Sequence, residues 1–112
     1  MKKFIIAMLT YFCATASQAT TISQHNVEIN RIYTGYKTGE DYFSIINEVV
    51  NPSGCQNTVG SHRLYSLNPD DNDMSSALTS LVAAKSLGVT IDLQLFKDSC
   101  YSGYVKVRRI AF

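Results

Sequence analysis

The sequence predicts one mainly β domain with a single helix. Three features carry that expectation. Short β-branched and aromatic runs are separated by Gly, Pro and Asn turns. One stretch alone has helical apolar spacing, with a capping residue at each end. The third feature is a pair of cysteines set far apart in a chain too short for a large core. At 112 residues the chain holds one domain, and 46% hydrophobic content excludes a disordered one. Ten Lys and Arg face nine Asp and Glu, so the net charge of +1 gives no cationic excess for nucleic acid.

The chain opens with Met1-Lys2-Lys3, then an apolar stretch from Phe4 to Ala14 broken only by Thr10. Ser17-Gln18-Ala19 supplies small residues where a signal peptidase reads. This layout is that of a bacterial export signal at 1–19, cleaved after Ala19. The apolar stretch is too short for a bilayer, which needs about 20 residues, so no membrane insertion is expected. The expected location is secreted or periplasmic. Cleavage removes Lys2 and Lys3, which turns +1 into −1 and leaves 20–112 as the single domain.

Val27 to Thr34 reads as the first strand. Val27 and Ile29 share one face and Ile32 the other, which calls for a bulge or a strong bend. Gly35 to Glu40 is a turn with Glu40-Asp41 as a polar, solvated tip. Asp41 to Val50 is the second strand, with Phe43, Ile45 and Val49 inward. Asn51-Pro52-Ser53-Gly54 breaks it, and Ser61 to Leu67 is the third. Asp70, Asp71 and Asp73 form a solvated turn, with Asp73 as N-cap. A helix then runs from Met74 to Leu87, with Met74, Ala77, Leu78, Leu81 and Val82 as its buried stripe. Lys85 in the last turn and Gly88 beyond it end the helix. Val89, Ile91, Leu93 and Leu95 alternate as the fourth strand. Tyr104 to Phe112 is the fifth, with a bulge near Arg108-Arg109 to bring Ile110 back into phase.

The order βββαββ is that of the OB-fold, a small five-stranded Greek-key barrel. A ferredoxin-like sandwich needs a helix after the first strand, and the turn at 35–40 leaves no room for one. In an OB-fold the third and fifth strands run parallel side by side. That neighbourhood brings Cys55, at the entry to the third strand, beside Cys100, just before the fifth. With Cys13 lost in the export signal, the two remaining cysteines of an exported chain predict a disulfide. Its Cα atoms belong about 5.5–6 Å apart.

Ile32-Tyr33-Thr34-Gly35 with Tyr42-Phe43 and Ile45 resembles the first hairpin of the toxin B subunits of the subtilase, pertussis and typhoid type. The run from Leu78 to Ile91 resembles their pore-lining helix and the strand after it. The resemblance implies an OB-fold, a ring of five copies, binding of cell-surface glycans and a toxin A subunit as partner. It departs at the sugar pocket. In the subtilase-type subunit, much of that pocket comes from a serine-bearing segment ahead of the first strand. Here Thr20–Asn26 stands in that place, Ser23 is its only serine, and nothing around it matches the pocket motif.

The residues offer no catalytic pattern. Ser61 and His62 are neighbours in an expected strand and point to opposite faces. Asp71-Asn72-Asp73 lacks the glycine and distal glutamate of a calcium loop. Neither His25 nor His62 is spaced with a cysteine as a zinc ligand, so no metal and no cofactor is expected. Tyrosine carries the better signal, seven residues with no Trp. Tyr36 in a loop and Tyr101 beside Cys100 are the candidate ligand-binding rings. Tyr33, Tyr42, Tyr65 and Tyr104 are expected to pack. On the helix, Thr79, Ala83 and Ser86 form a small-residue side suited to a subunit contact. The expected function is a non-enzymatic binding module for a glycan or another surface ligand, with a protein-binding OB domain as the alternative.

Overall fold

A computed structural model describes residues 20–58 and 63–112. The export signal at 1–19 and the Ser61-His62 pair lie outside the described residues. The chain forms six strands and one helix: β1 Thr21–Val27, β2 Ile29–Tyr33, β3 Asp41–Ile45, β4 Tyr65–Leu67, α1 Met74–Leu87, β5 Ile91–Tyr101 and β6 Tyr104–Ala111. All six strands join one sheet in the order β1-β5-β6-β4-β3-β2. The architecture is mainly β with one helix, as expected. The sheet ladder is open rather than closed into a five-stranded barrel, with β1 and β2 at its two ends.

The phase change expected between Ile29 and Ile32 is present as a register shift between Ile29 and Arg31, and the sixth strand arises before it. β1 starts at Thr21, ahead of the expected first strand, and pairs antiparallel with β5 as far as Val27 opposite Ile91. Asn26 turns the backbone left-handed at φ 57°. One residue later the chain changes partners, and β2 pairs with β3 from Ile29 opposite Ile45. Glu28 is the hinge. Its N–H donates to the Asn47 side chain and its carbonyl accepts from Ile46 N–H. The two end strands of the sheet are thus joined by a single residue, and Val27 and Ile29 on either side of it are both buried.

Two other strands are shorter than expected. β3 ends at Ile45, and β4 holds only three residues. The expected parallel neighbourhood is present, with Tyr65 of β4 opposite Val105 of β6. The bulge in the last strand is present too: Gln94 faces Arg109 while Leu95 faces Val107, leaving Arg108 extra. The core lies on one side of the sheet, from Val27, Phe43, Tyr65, Leu67, Leu93, Leu95, Val105 and Val107. Tyr65 is fully buried, yet its hydroxyl accepts from Val50 N–H and donates to Gln24, so burial leaves no orphan polar atom there.

α1 has the expected bounds and caps. Asp73 accepts from Ser76 N–H, and Gly88 takes the left-handed conformation at φ 68°. Its buried stripe differs from the expected one. Leu81 and Ala84 are buried, Met74 and Ala77 pack against the core, and Val82 is 48% exposed. Spacings of three, four and three trace a narrower line than the expected one, and Val82 falls one residue off it. The acidic turn before the helix is also less solvated than expected. Asn72 donates to the carbonyls of Val107 and Arg108, and Asp71 pairs with Lys106 at 3.1 Å. Among the described residues no helix is long and apolar enough to cross a membrane.

Candidate functional site

The β2–β3 connection places the first candidate ring. Gly39 N–H donates to Tyr36 carbonyl at 3.0 Å, closing a tight turn, and Gly39 sits at φ 91° where a side chain would be strained. The turn lays Tyr36 against Tyr42 on β3, with ring centroids 5.2 Å apart and planes at 82°. In an edge-to-face pair only one ring gives up a face, so Tyr36 keeps at least one face clear of Tyr42. Tyr36 is 47% exposed. Tyr42 in turn contacts Tyr104 at 4.9 Å.

The β5–β6 hairpin places the second. Tyr101 and Tyr104 face each other across the two-residue turn Ser102–Gly103. Both turn residues have positive φ, 51° and 83°, the backbone that suits a tight hairpin. Tyr101 hydroxyl donates to Glu40 at 2.9 Å. Glu40 also accepts from the Thr38 hydroxyl. Tyr36, Tyr42, Tyr104 and Tyr101 therefore form one continuous patch with Thr38 and Glu40, drawn from two connections far apart in sequence.

The electrostatics follow from that geometry. The hydrogen bond from Thr38, with that from Tyr101, holds the Glu40 carboxyl below its usual range against the opposing effect of burial. The same Glu40 bond pushes the Tyr101 phenol up. Tyr42 is pushed up to about 12, first by burial and then by the charge of Glu40. The patch thus holds the Glu40 carboxylate beside the Tyr42 and Tyr101 phenols, both of which keep their protons more firmly than a free phenol.

Tyr36 and Tyr101, the rings singled out from sequence, are brought to the same patch without touching each other. Tyr42 and Tyr104, expected to pack, link them. Glu40 was expected at a solvated tip, and Asp41 with it. They are 5% and 6% exposed, Glu40 because Tyr101 bonds to it and Asp41 because it starts β3 opposite Leu67. Thr38, two residues before Glu40, was the one local sign of a carboxylate with a partner.

The disulfide is present. Cys55 and Cys100 have Cα atoms 5.8 Å apart. Its placement differs in detail from the expectation. Cys55 lies in the long β3–β4 connection rather than at the start of β4, and Cys100 lies inside β5, opposite Val105. β5 runs six residues past Leu95, where alternation in the sequence stops. The Ser-Gly pair between two tyrosines was the signal that this strand continues into a hairpin.

The remaining candidates lie elsewhere. Thr79 and Ser86 are exposed on the outer side of α1 and Ala83 is half-buried. One groove of about 190 Å³ runs beside the start of α1 between Ser76, Ser80 and Arg108. Another of about 200 Å³ is lined by Ser23, His25, Asp92 and Arg109. There His25 Nδ1 lies 3.2 Å from Asp92, and Asp92 is held low by the Asn26 N–H first and His25 second. Among the described residues, no three His, Cys, Asp or Glu side chains gather as a metal site. No family model, curated protein or solved structure matches the chain. The fold and the patch define it only as a mainly β, disulfide-bonded domain with a tyrosine-lined end.

Proposed function

We propose that this chain is an exported, non-enzymatic binding module of the OB-fold type, and that its tyrosine patch takes a neutral sugar ring of a surface glycan. The carrying observation is the half-exposed Tyr36 ring beside the Tyr42–Tyr104 pair and the fixed Glu40 carboxylate. A sugar ring offers a C–H face to an aromatic ring and hydroxyls to polar neighbours. The Glu40 carboxylate at the patch disfavours an acidic sugar.

The OB reading counts β1 and β2 as halves of one strand bent at Glu28. The remaining order then reads as five strands that return upon themselves, with the parallel β4–β6 pair in its expected place. In OB-folds the connections after the first and fourth strands take oligosaccharides. Here Tyr36 lies in the first of those connections, and Tyr101 and Tyr104 flank the second. The Cys55–Cys100 bridge supports an oxidising compartment, as an export signal at 1–19 would require.

A second reading, a module for a protein partner with no sugar site, is favoured by the outer side of α1. Val82 is 48% and Leu87 71% exposed there, next to Thr79 and Ser86. Contact between copies through that side, as in a ring of five, is compatible with either reading, and so is a toxin A subunit as partner. A glycan array probed with oxidised 20–112 tests the choice. Binding to neutral glycans, lost in Tyr36→Ala and weakened in Tyr101→Phe, is expected. An array silent for the native protein, or binding untouched by Tyr36→Ala, would overturn the sugar reading.

A further inference from the structure

Two of the patch tyrosines flank a turn that is held from behind by a segment carrying no aromatic ring. Asn57 N–H donates to Gly103 carbonyl at 2.7 Å, and Asn57 Nδ2 donates to Ser102 carbonyl at 2.8 Å. The Asn57 side chain packs so closely on Gly103 that a Cβ there would collide with its amide. One residue on, the Thr58 hydroxyl accepts from Val105 N–H at 2.6 Å. Cys55 joins the same segment covalently to Cys100, the residue before Tyr101. Every one of these bonds meets the hairpin between Cys100 and Val105. Cys55 and Val105 are buried in the same core as Leu93, Leu95 and Val107, whereas Ser102 and Gly103 lie at the turn beyond it.

We propose that the Cys55–Cys100 bridge and Asn57 are positioning groups of the tyrosine patch, so that ligand affinity falls when the bridge is reduced, before the domain unfolds. The proposal rests on the sugar-binding reading for its ligand, but not for its geometry. With the bridge intact, the 55–58 segment fixes the turn, and Tyr101 is presented to Glu40 while Tyr104 is presented to Tyr42. With the bridge open, the long β3–β4 connection keeps only hydrogen bonds to the turn, and the two rings lose their fixed seats. Cys100 is exposed whereas Cys55 is 2% exposed, so attack comes at Cys100. A thiolate of a dithiol reductant bonds to Cys100 Sγ and Cys55 leaves as thiolate. The second thiol of the reductant then displaces Cys100. Two electrons pass to the bridge, both cysteines take up protons, and the reductant departs as its own disulfide.

The test compares oxidised and dithiothreitol-reduced protein in the cold, with Asn57→Ala as a variant that keeps the bridge. Far-ultraviolet circular dichroism reads the sheet, near-ultraviolet dichroism reads the tyrosine patch, and titration with lactose reads affinity. The expected result is an unchanged far-ultraviolet spectrum, a collapsed tyrosine signal and an affinity lowered roughly ten-fold or more on reduction. Asn57→Ala should show the same loss in smaller degree, with little change in melting temperature. A tyrosine signal that survives reduction would overturn the proposal. So would loss of the far-ultraviolet signal alongside it, because the bridge would then hold the domain rather than the patch. If oxidised protein binds no lactose or array glycan, the sugar reading fails, and the near-ultraviolet comparison still decides the positioning role.

Discussion

The hairpin around Ser102–Gly103 and the helix α1 are fixed to the same sheet by different means. The hairpin end is held by one covalent bridge and a set of directional hydrogen bonds, donated by Asn57 and accepted by Thr58 and Glu40. The helix is held by a line of four apolar side chains, Met74, Ala77, Leu81 and Ala84. Directed bonds fix orientation as well as position, which suits rings that must present a face. Apolar contact is non-directional, so it holds the helix down without prescribing what its outer side does. The hairpin end therefore carries the proposed ligand site, and the outer side of the helix carries the proposed contact with another chain.

Breaking each anchor should separate the two. Replacing both cysteines by alanine is expected to cost about 2–5 kcal/mol. In a domain of this size that lowers the melting temperature by roughly 10–30 °C in calorimetry. A shift of only a degree or two would mean the bridge is not an anchor. Leu81→Ala removes the centre of the helix stripe and should cost about 2–4 kcal/mol, measured by urea unfolding. Asp73→Ala, which removes the helix N-cap, should cost about 1 kcal/mol by the same method. Val82→Ala, one residue from Leu81, should stay within about 0.5 kcal/mol. Equal losses at 81 and 82 would contradict the stripe seen here. Thr79→Arg should likewise leave stability unchanged, yet reduce the assembly in sedimentation velocity if copies meet through this side.

Titration probes the sheet and its tyrosine end. Tyr42 and Tyr65 are both pushed up from 10.0 to about 12. The folded protein keeps phenol protons that the unfolded chain releases near 10. Their contribution to stability is complete below about pH 10 and is lost as the pH rises toward about 12. Glu40 works in the opposite sense. Its carboxyl is lowered from 4.5, so its contribution is present above that value and is lost as the pH falls through the folded one. Urea midpoints across the pH range should fall at both ends, and Glu40→Gln should flatten the acid side.

The legible parts of the fold were those encoded by local pattern. The helix bounds rest on Asp73 and Gly88, and the bulge at Arg108 rests on a change of phase between Val107 and Ile110. The disulfide was legible because strand order brings two distant cysteines together. What escaped was set by tertiary context. The segment before Val27 lacks apolar alternation in sequence, since polar Gln24 fills the half-buried position after Ile22, between exposed Ser23 and His25. It becomes a strand because β5 offers it an edge. β5 itself continues through polar Lys97, Asp98 and Ser99, which no hydrophobic period marks. Glu40 looked like a surface residue because nothing in sequence places Tyr101 above it. Val82 looked buried because a helix face wide enough for five residues was assumed where the sheet covers four. The patch was half legible for the same reason. Tyr36 stood out as a loop aromatic and Tyr101 by its place beside Cys100, though Tyr101 ends β5 half-buried, while Tyr42 and Tyr104, which join them, read as packing.

The central claim is that ligand meets the tyrosine end and not the helix. Nuclear magnetic resonance of isotopically labelled, oxidised 20–112, titrated with lactose and with the strongest neutral glycan from an array, tests it most directly. The account predicts shifts concentrated in the backbone of 34–42 and 100–104 and in the ring signals of Tyr36, Tyr42, Tyr101 and Tyr104, with α1 silent. Shifts confined to the outer side of α1 or to the groove at His25 and Asp92 would contradict it.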